Sequence, residues 1–117
     1  MKLITAIVRP EKLEELIGVV IDNGGRGLTA TEVRGFGRQF GHLTAGTERA
    51  GLPVSPKAAL LPKIRMDILV LDDDAEAMVN AIGQHARTPT IGDGKIWVTS
   101  VDSAMRVRTG ERGRDAM

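Results

Sequence analysis

The chain predicts a single α+β domain. Three observations carry that expectation. Short runs rich in β-branched residues recur four times, two amphipathic helical stripes separate them in pairs, and the order is strand, helix, strand, then a long aperiodic stretch, then strand, helix, strand again. At 117 residues the chain suits one domain, 1–117, with a modest core. Aromatic residues make up only 3%, so that core must be aliphatic.

Residues 3–8 (L-I-T-A-I-V) read as the first strand. Arg9-Pro10 ends it, since proline is tolerated in a first helical turn, and Glu11, Glu14 and Glu15 suit the positive end of a helix dipole. Leu13, Leu16, Ile17, Val20 and Ile21 fall at helical spacing, which predicts an amphipathic helix over 11–23. Asn23-Gly24-Gly25 is a helix-ending signal. Residues 28–35 (L-T-A-T-E-V-R-G) predict the second strand, with Thr29 and Thr31 on one face.

From about 39 to 61 no period is visible, and Gly46, Gly51, Pro53 and Pro56 interrupt small and polar residues. A loop of that length exceeds the roughly 12–15 residues usual inside a compact domain, so it is expected to be a protruding functional loop. Ile64, Met66, Ile68 and Val70 alternate with Arg65, Asp67, Leu69 and Leu71, predicting the third strand. Asp72-Asp73-Asp74 is read as an N-cap with first-turn negative charge rather than a metal cluster, because the stripe Ala75, Met78, Val79, Ile82 and Ala86 follows at once. The second helix is predicted over 74–87 and the fourth strand over 95–101; the tail from 106 onward reads, alone, as a frayed terminus. This β-α-β-β-α-β order is the ferredoxin-like pattern, with two helices on one face of an antiparallel sheet. Nothing remains to cover the other face, which predicts an oligomer.

Composition removes several function classes. Net charge is +1, without a basic nucleic-acid footprint or an acidic tail. There is no cysteine, hence no disulfide framework or thiolate metal site. No signal-peptide pattern and no membrane-length apolar run appear, so a soluble cytoplasmic protein is expected. RNA-recognition domains share the element order, but they stack bases on strand aromatics, and Phe36, Phe40 and Trp97 are the only aromatics here. His42 and His85 form no nucleophile–base pairing, so no catalytic residue is assigned and a slow ATPase is the weaker alternative.

Three glycine- or arginine-bearing segments point to an anion. Residues 88–98 read T-P-T-I-G-D-G-K-I-W-V; Gly92 and Gly94 let backbone N–H groups face a ligand, and Lys95 adds charge. Taken alone, G-D-G reads better as a plain turn into a strand. A second corner, 35–41 (G-F-G-R-Q-F-G), reads as a close approach to a ligand or as a hairpin corner. The third segment is Arg106-Val107-Arg108. Together the three could make one phosphate site.

These segments, with I-V-R-P near residue 9, T-E-V-R-G-F-G-R-Q-F-G-H at 31–42, L-P-K at 61–63 and R-V-R-T-G-E at 106–111, make the chain resemble the nitrogen regulatory PII signal-transduction family along nearly its whole length. The resemblance implies a homotrimer with a nucleotide site in each cleft between subunits, where ATP and ADP compete. In many members 2-oxoglutarate joins Mg-ATP, and the long loop contacts partner enzymes, transporters or regulators. Position by position, it implies that Gly37, Arg38 and Gln39 lie beside the phosphates and that Gln39 also helps hold Mg²⁺. Gly92, Asp93, Gly94 and Lys95, in a phosphate loop over 88–95, cradle the phosphates. Arg106 and Arg108, flanking Val107 in the C-terminal segment 106–117, reach the phosphates from the neighbouring subunit. Thr29 and Leu69 contact the adenosine, and Lys63 pairs with the distal carboxylate of 2-oxoglutarate.

The chain departs from the family in places. It has no tyrosine, so the loop tyrosine modified in many members is absent. Residues 43–60 do not follow the usual loop pattern, Pro89-Thr90 stand where a small residue and a lysine are common, and Asp67 replaces a commoner glutamate. A regulator of nitrogen metabolism is the expectation. The alternative is a regulator of carbon metabolism that senses adenine nucleotides and bicarbonate.

Overall fold

The computed structural model describes residues 1–37 and 60–117. Strands β1 (Lys2–Val8), β2 (Thr29–Gly35), β3 (Leu61–Val70) and β4 (Lys95–Ser100) form one sheet in the order β2-β3-β1-β4, and every neighbouring pair is antiparallel. Helices α1 (Leu13–Asp22) and α2 (Ala75–Ala86) complete the ferredoxin-like arrangement. The two-residue period of the strands decides which side chains meet the helices. Ile4, Ala6 and Val8 of β1 face Ile68, Met66 and Ile64 of β3, and all six are buried with Leu16, Val19, Val20, Met78 and Ile82.

Several boundaries differ from the sequence expectation. The helix expected from residue 11 opens with a 3-10 turn, Pro10–Lys12, before α1. Its buried stripe uses Val19 in place of Ile17 and Ile21, the latter being 63% exposed. Both lie at helical spacing, so periodicity alone could not place the rotation of the helix against its neighbours. Strand β3 starts at Leu61 rather than Ile64. Pro62 is tolerated there because β3 outruns β1: Pro62 pairs with Arg34 of β2, whereas the β1 pairing ends at Ile64. The missing N–H therefore breaks no ladder bond on the β1 side.

The ends of the helices also depart from expectation in part. Asn23-Gly24-Gly25 closes α1 as a Schellman motif: Gly25 N donates to Val20 O at 2.8 Å, Gly24 N to Ile21 O at 3.1 Å, and Gly24 has φ +82°. The three aspartates before α2 make a 3-10 turn, Asp72–Asp74, without any side-chain cap. Asp74 holds the N-cap position and the aspartates supply the expected first-turn negative charge, but no carboxylate makes a capping bond, and the Asp72 carboxylate meets the Met1 nitrogen at 2.7 Å. The tail is not frayed. Met105 bridges Arg112, Arg106 N donates to Glu111 O at 2.9 Å, and Gly113 N donates to Ala104 O at 3.0 Å, which folds 104–113 into a small hairpin.

Candidate functional site

The sheet face turned away from the helices carries the odd-numbered residues of β1 and their partners. One row across it is Lys95, Ile7, Arg65, Thr31; the next is Trp97, Thr5, Asp67, Thr29. At its centre Thr5, 1% exposed, donates to Asp67 Oδ1 at 2.7 Å, and Arg65 Nε donates to Asp67 Oδ2 at 2.9 Å. Burial works to raise the Asp67 carboxyl, but the bonds from Arg65 and Thr5 outweigh it and leave it lowered.

At the edge of this face an open cleft of about 710 Å³ is lined by Ile7, Phe36, Gly37, Lys63, residues 90–94 and Lys95. Its floor is set by the ends of β1, β2 and β3, and its wall by the loop between α2 and β4. Gly94 joins wall to floor. Its φ is +104°, and a Cβ there would fall on the Ile7 carbonyl oxygen, so only glycine fits. Gly92 has φ +101°.

Two cations from the strand ends grip this loop. Pro10 restricts Arg9 to extended backbone (φ −65°, ψ 140°), and the Arg9 side chain continues off β1 into the loop. Its Nε donates to Asp93 Oδ1 at 3.2 Å, and its Nη2 to Thr90 Oγ1 at 3.3 Å and to Ile91 O at 2.5 Å. Lys63 is 7% exposed and donates to Gly92 O at 2.5 Å. Burial lowers its ammonium pKa, and Arg9 adds to the effect, while Glu11 and Asp93 oppose it. Among the described residues no carboxylate pairs directly with Lys63, so it is a desolvated cation facing the cleft. Asp93 turns inward: Thr88 N donates to Oδ2 at 2.6 Å and Thr88 Oγ1 to Oδ1 at 2.5 Å. These Thr88 bonds, then Arg9, hold its carboxyl below the usual range.

The structure thus brings together Gly37, Lys63, Gly92, Asp93, Gly94 and Lys95 from the expected set. Thr29 and Leu69 share the open face but lie outside the cleft, Leu69 being six residues, roughly 20 Å, along β3 from Lys63. Arg106, Val107 and Arg108 do not reach it within the chain. Arg106 donates to Met117 O at 2.7 Å and meets Glu111 at 3.7 Å, while Val107 is 95% exposed. One chain therefore does not bring together all three segments expected to bind an anion. Arg38 and Gln39 lie outside the described residues, as does nearly all of the 39–61 loop. Sequence reasoning missed Arg9 as part of the site and, within the 88–95 loop, gave Thr88 no role of its own. The available signal was an arginine fixed in extended backbone by the following proline at a strand end.

The family model described as nitrogen regulatory protein P-II matches residues 1–111. The nitrogen regulatory protein P-II of Rhizobium meliloti is 43% identical over 119 aligned residues, covering 100% of both chains. The P-II 2 protein of Methanothermobacter thermautotrophicus is 44% identical over 117 residues, covering 100% of this chain and 97% of that one. The crystal structure of Arabidopsis thaliana PII bound to citrate superposes with a TM-score of 0.78 at 35% identity, covering 99% of this chain and 91% of that chain.

Proposed function

The chain belongs to the nitrogen regulatory P-II family of signal-transduction proteins, and from that premise we propose that it binds ATP and ADP at clefts between subunits of a homotrimer and controls partner proteins through its long loop. One observation carries the proposal. Gly37, Lys63, Gly92, Gly94 and Lys95 converge on a single cleft whose cations outnumber its carboxylates. The phosphates lie along the 92–95 loop against Lys95, and Arg38 is assigned to them by the family resemblance alone. Arg106 and Arg108 complete the site from a neighbouring copy, since within one chain the hairpin keeps them elsewhere. Arginine offers bidentate geometry and lysine a point charge to the same phosphate oxygens. Thr29 and Leu69, on the open face, take the adenosine.

Lys63 is the effector cation. It is desolvated and lacks a carboxylate partner among the described residues, so a dicarboxylate such as 2-oxoglutarate would supply one. That the Arabidopsis relative was solved bound to citrate supports a carboxylate-binding role. The described residues hold no cluster of three metal-ligating groups, and the Asp93 oxygens are already bonded to Thr88 and Arg9. A bound Mg²⁺ would therefore draw on Gln39 together with phosphate and effector oxygens. Regulation then works by differential binding: the effector favours one loop state over another.

The test is calorimetric titration of ATP and of ADP, with Mg²⁺, alone and then with 2-oxoglutarate or bicarbonate present. Nucleotide binding that 2-oxoglutarate tightens supports the nitrogen reading, and tightening by bicarbonate instead supports the carbon one. Tight nucleotide binding that persists in an Arg106→Ala, Arg108→Ala double variant would refute the site.

A further inference from the structure

We propose that Asp93, Thr88 and Arg9 form a latch that fixes the shape of residues 88–94, with Asp93 as a positioning residue whose carboxylate does not touch the bound anion. The inference rests on reading the cleft as an anion site, and it assigns Asp93 a role different from that of the glycines beside it. A carboxylate in a loop meant for a polyanion opposes binding by charge. Here that charge is spent inside the loop. Thr88 N bonds one oxygen, and the Thr88 hydroxyl and Arg9 Nε share the other.

The loop needs such a device. Apart from a single turn at Ile91-Gly92, residues 88–94 have no regular backbone hydrogen bonding of their own among the described residues. Two of its members hold positive φ, and Gly94 is pinned against Ile7. Between the end of α2 and Gly94, that one turn and a set of side-chain bonds fix the path. Arg9 adds bonds to Thr90 and to the Ile91 carbonyl, so one guanidinium reads three points of the loop. Lys63 then fixes the Gly92 carbonyl, which leaves the Gly92 and Gly94 amides to be aimed by the latch.

Asparagine at 93 keeps the shape but has only one oxygen, whereas the Thr88 N–H and the Arg9 Nε–H are donors on different carboxylate oxygens, so in either rotamer one of them faces the amide NH2 donor against donor. If the latched state falls to a tenth of the population, apparent affinity falls about tenfold. The experiment compares wild type with Asp93→Asn, Thr88→Val, Thr88→Ser, Arg9→Gln and the Asp93→Asn, Arg9→Gln double variant. Amide hydrogen exchange over 88–95 is measured without ligand, and ADP affinity is measured by calorimetry at low and high salt. Faster exchange in Asp93→Asn and Thr88→Val, restored by Thr88→Ser, is expected. ADP binding weakens about tenfold in both, and in Thr88→Val its salt dependence is unchanged, because that variant removes no charge. The double variant is no worse than the poorer single one, as expected for two residues of one unit. Unchanged exchange, or tighter ADP binding in Asp93→Asn, would overturn the latch. Faster exchange in the variants of a protein that binds no ADP would instead overturn the nucleotide reading and leave the latch standing.

Discussion

Replacing Gly94 by alanine tests how the cleft is built. At φ +104° an alanine is strained by about 1–3 kcal/mol. Its Cβ would also overlap the Ile7 carbonyl oxygen, a main-chain atom next to the end of the β1–β4 pairing, where Ile7 faces Lys95. A flexible side chain could swing aside, whereas this strand cannot move without loosening the ladder. A total near 3 kcal/mol follows, which for a chain of this size lowers Tm by roughly 10 °C. Circular dichroism melts at one fixed protein concentration measure it, since assembly would make Tm concentration-dependent. Gly18→Ala is the internal contrast. That glycine lies inside α1 with nothing within 4 Å of a new Cβ, so alanine should stabilise by about 0.5–1 kcal/mol. A Gly94→Ala melt within about 2 °C of wild type would refute the close-approach argument.

Other consequences follow from the charges. The lowered Asp67 carboxyl contributes stability above its unfolded value near 3.9, and that contribution is lost as pH falls through the lower folded value. Asp67→Asn should therefore cost about 1–2 kcal/mol at pH 7, with the gap closing below about pH 4 in urea titrations. The lowered Lys63 ammonium has the opposite sense: its charged form costs stability below the folded pKa, and that cost fades as pH rises towards the unfolded value near 10.4. Wild type should gain on Lys63→Met between pH 7 and 10; a flat difference in melts would contradict the buried-cation reading. If residues 88–95 hold the phosphates as proposed, Thr90→Lys adds a cation there and should tighten ATP binding about fivefold, more at low salt, as read by calorimetry.

Much of the site was legible before any coordinates. Gly92 and Gly94 were marked by the G-D-G spacing, and both hold the positive φ that makes glycine necessary. Lys63, Gly37 and Lys95 were carried over from the resemblance, and they line one cleft. Asp93 was legible as a loop member, but the direction of its carboxylate was not. Arg9 looked like punctuation before Pro10. The aspartates at 72–74 looked like a cap, yet side-chain capping depends on local geometry that the 3-10 turn does not provide. The Arg106–Arg108 pair was legible as charge, though its hairpin was hidden because isolated bridges leave no hydrophobic period.

By itself the sequence determined the element order, the aliphatic core face and the two glycines, because burial periodicity and backbone strain are properties of neighbouring residues. Only the tertiary structure decided that Arg9 would grip Asp93, 84 positions away, and that Lys63 would hold the Gly92 carbonyl, 29 away. Those bonds exist because the antiparallel register of β1, β3 and β4 brings three strand ends to one corner. Register is fixed by packing the whole sheet against its helices, and no local run of residues encodes it.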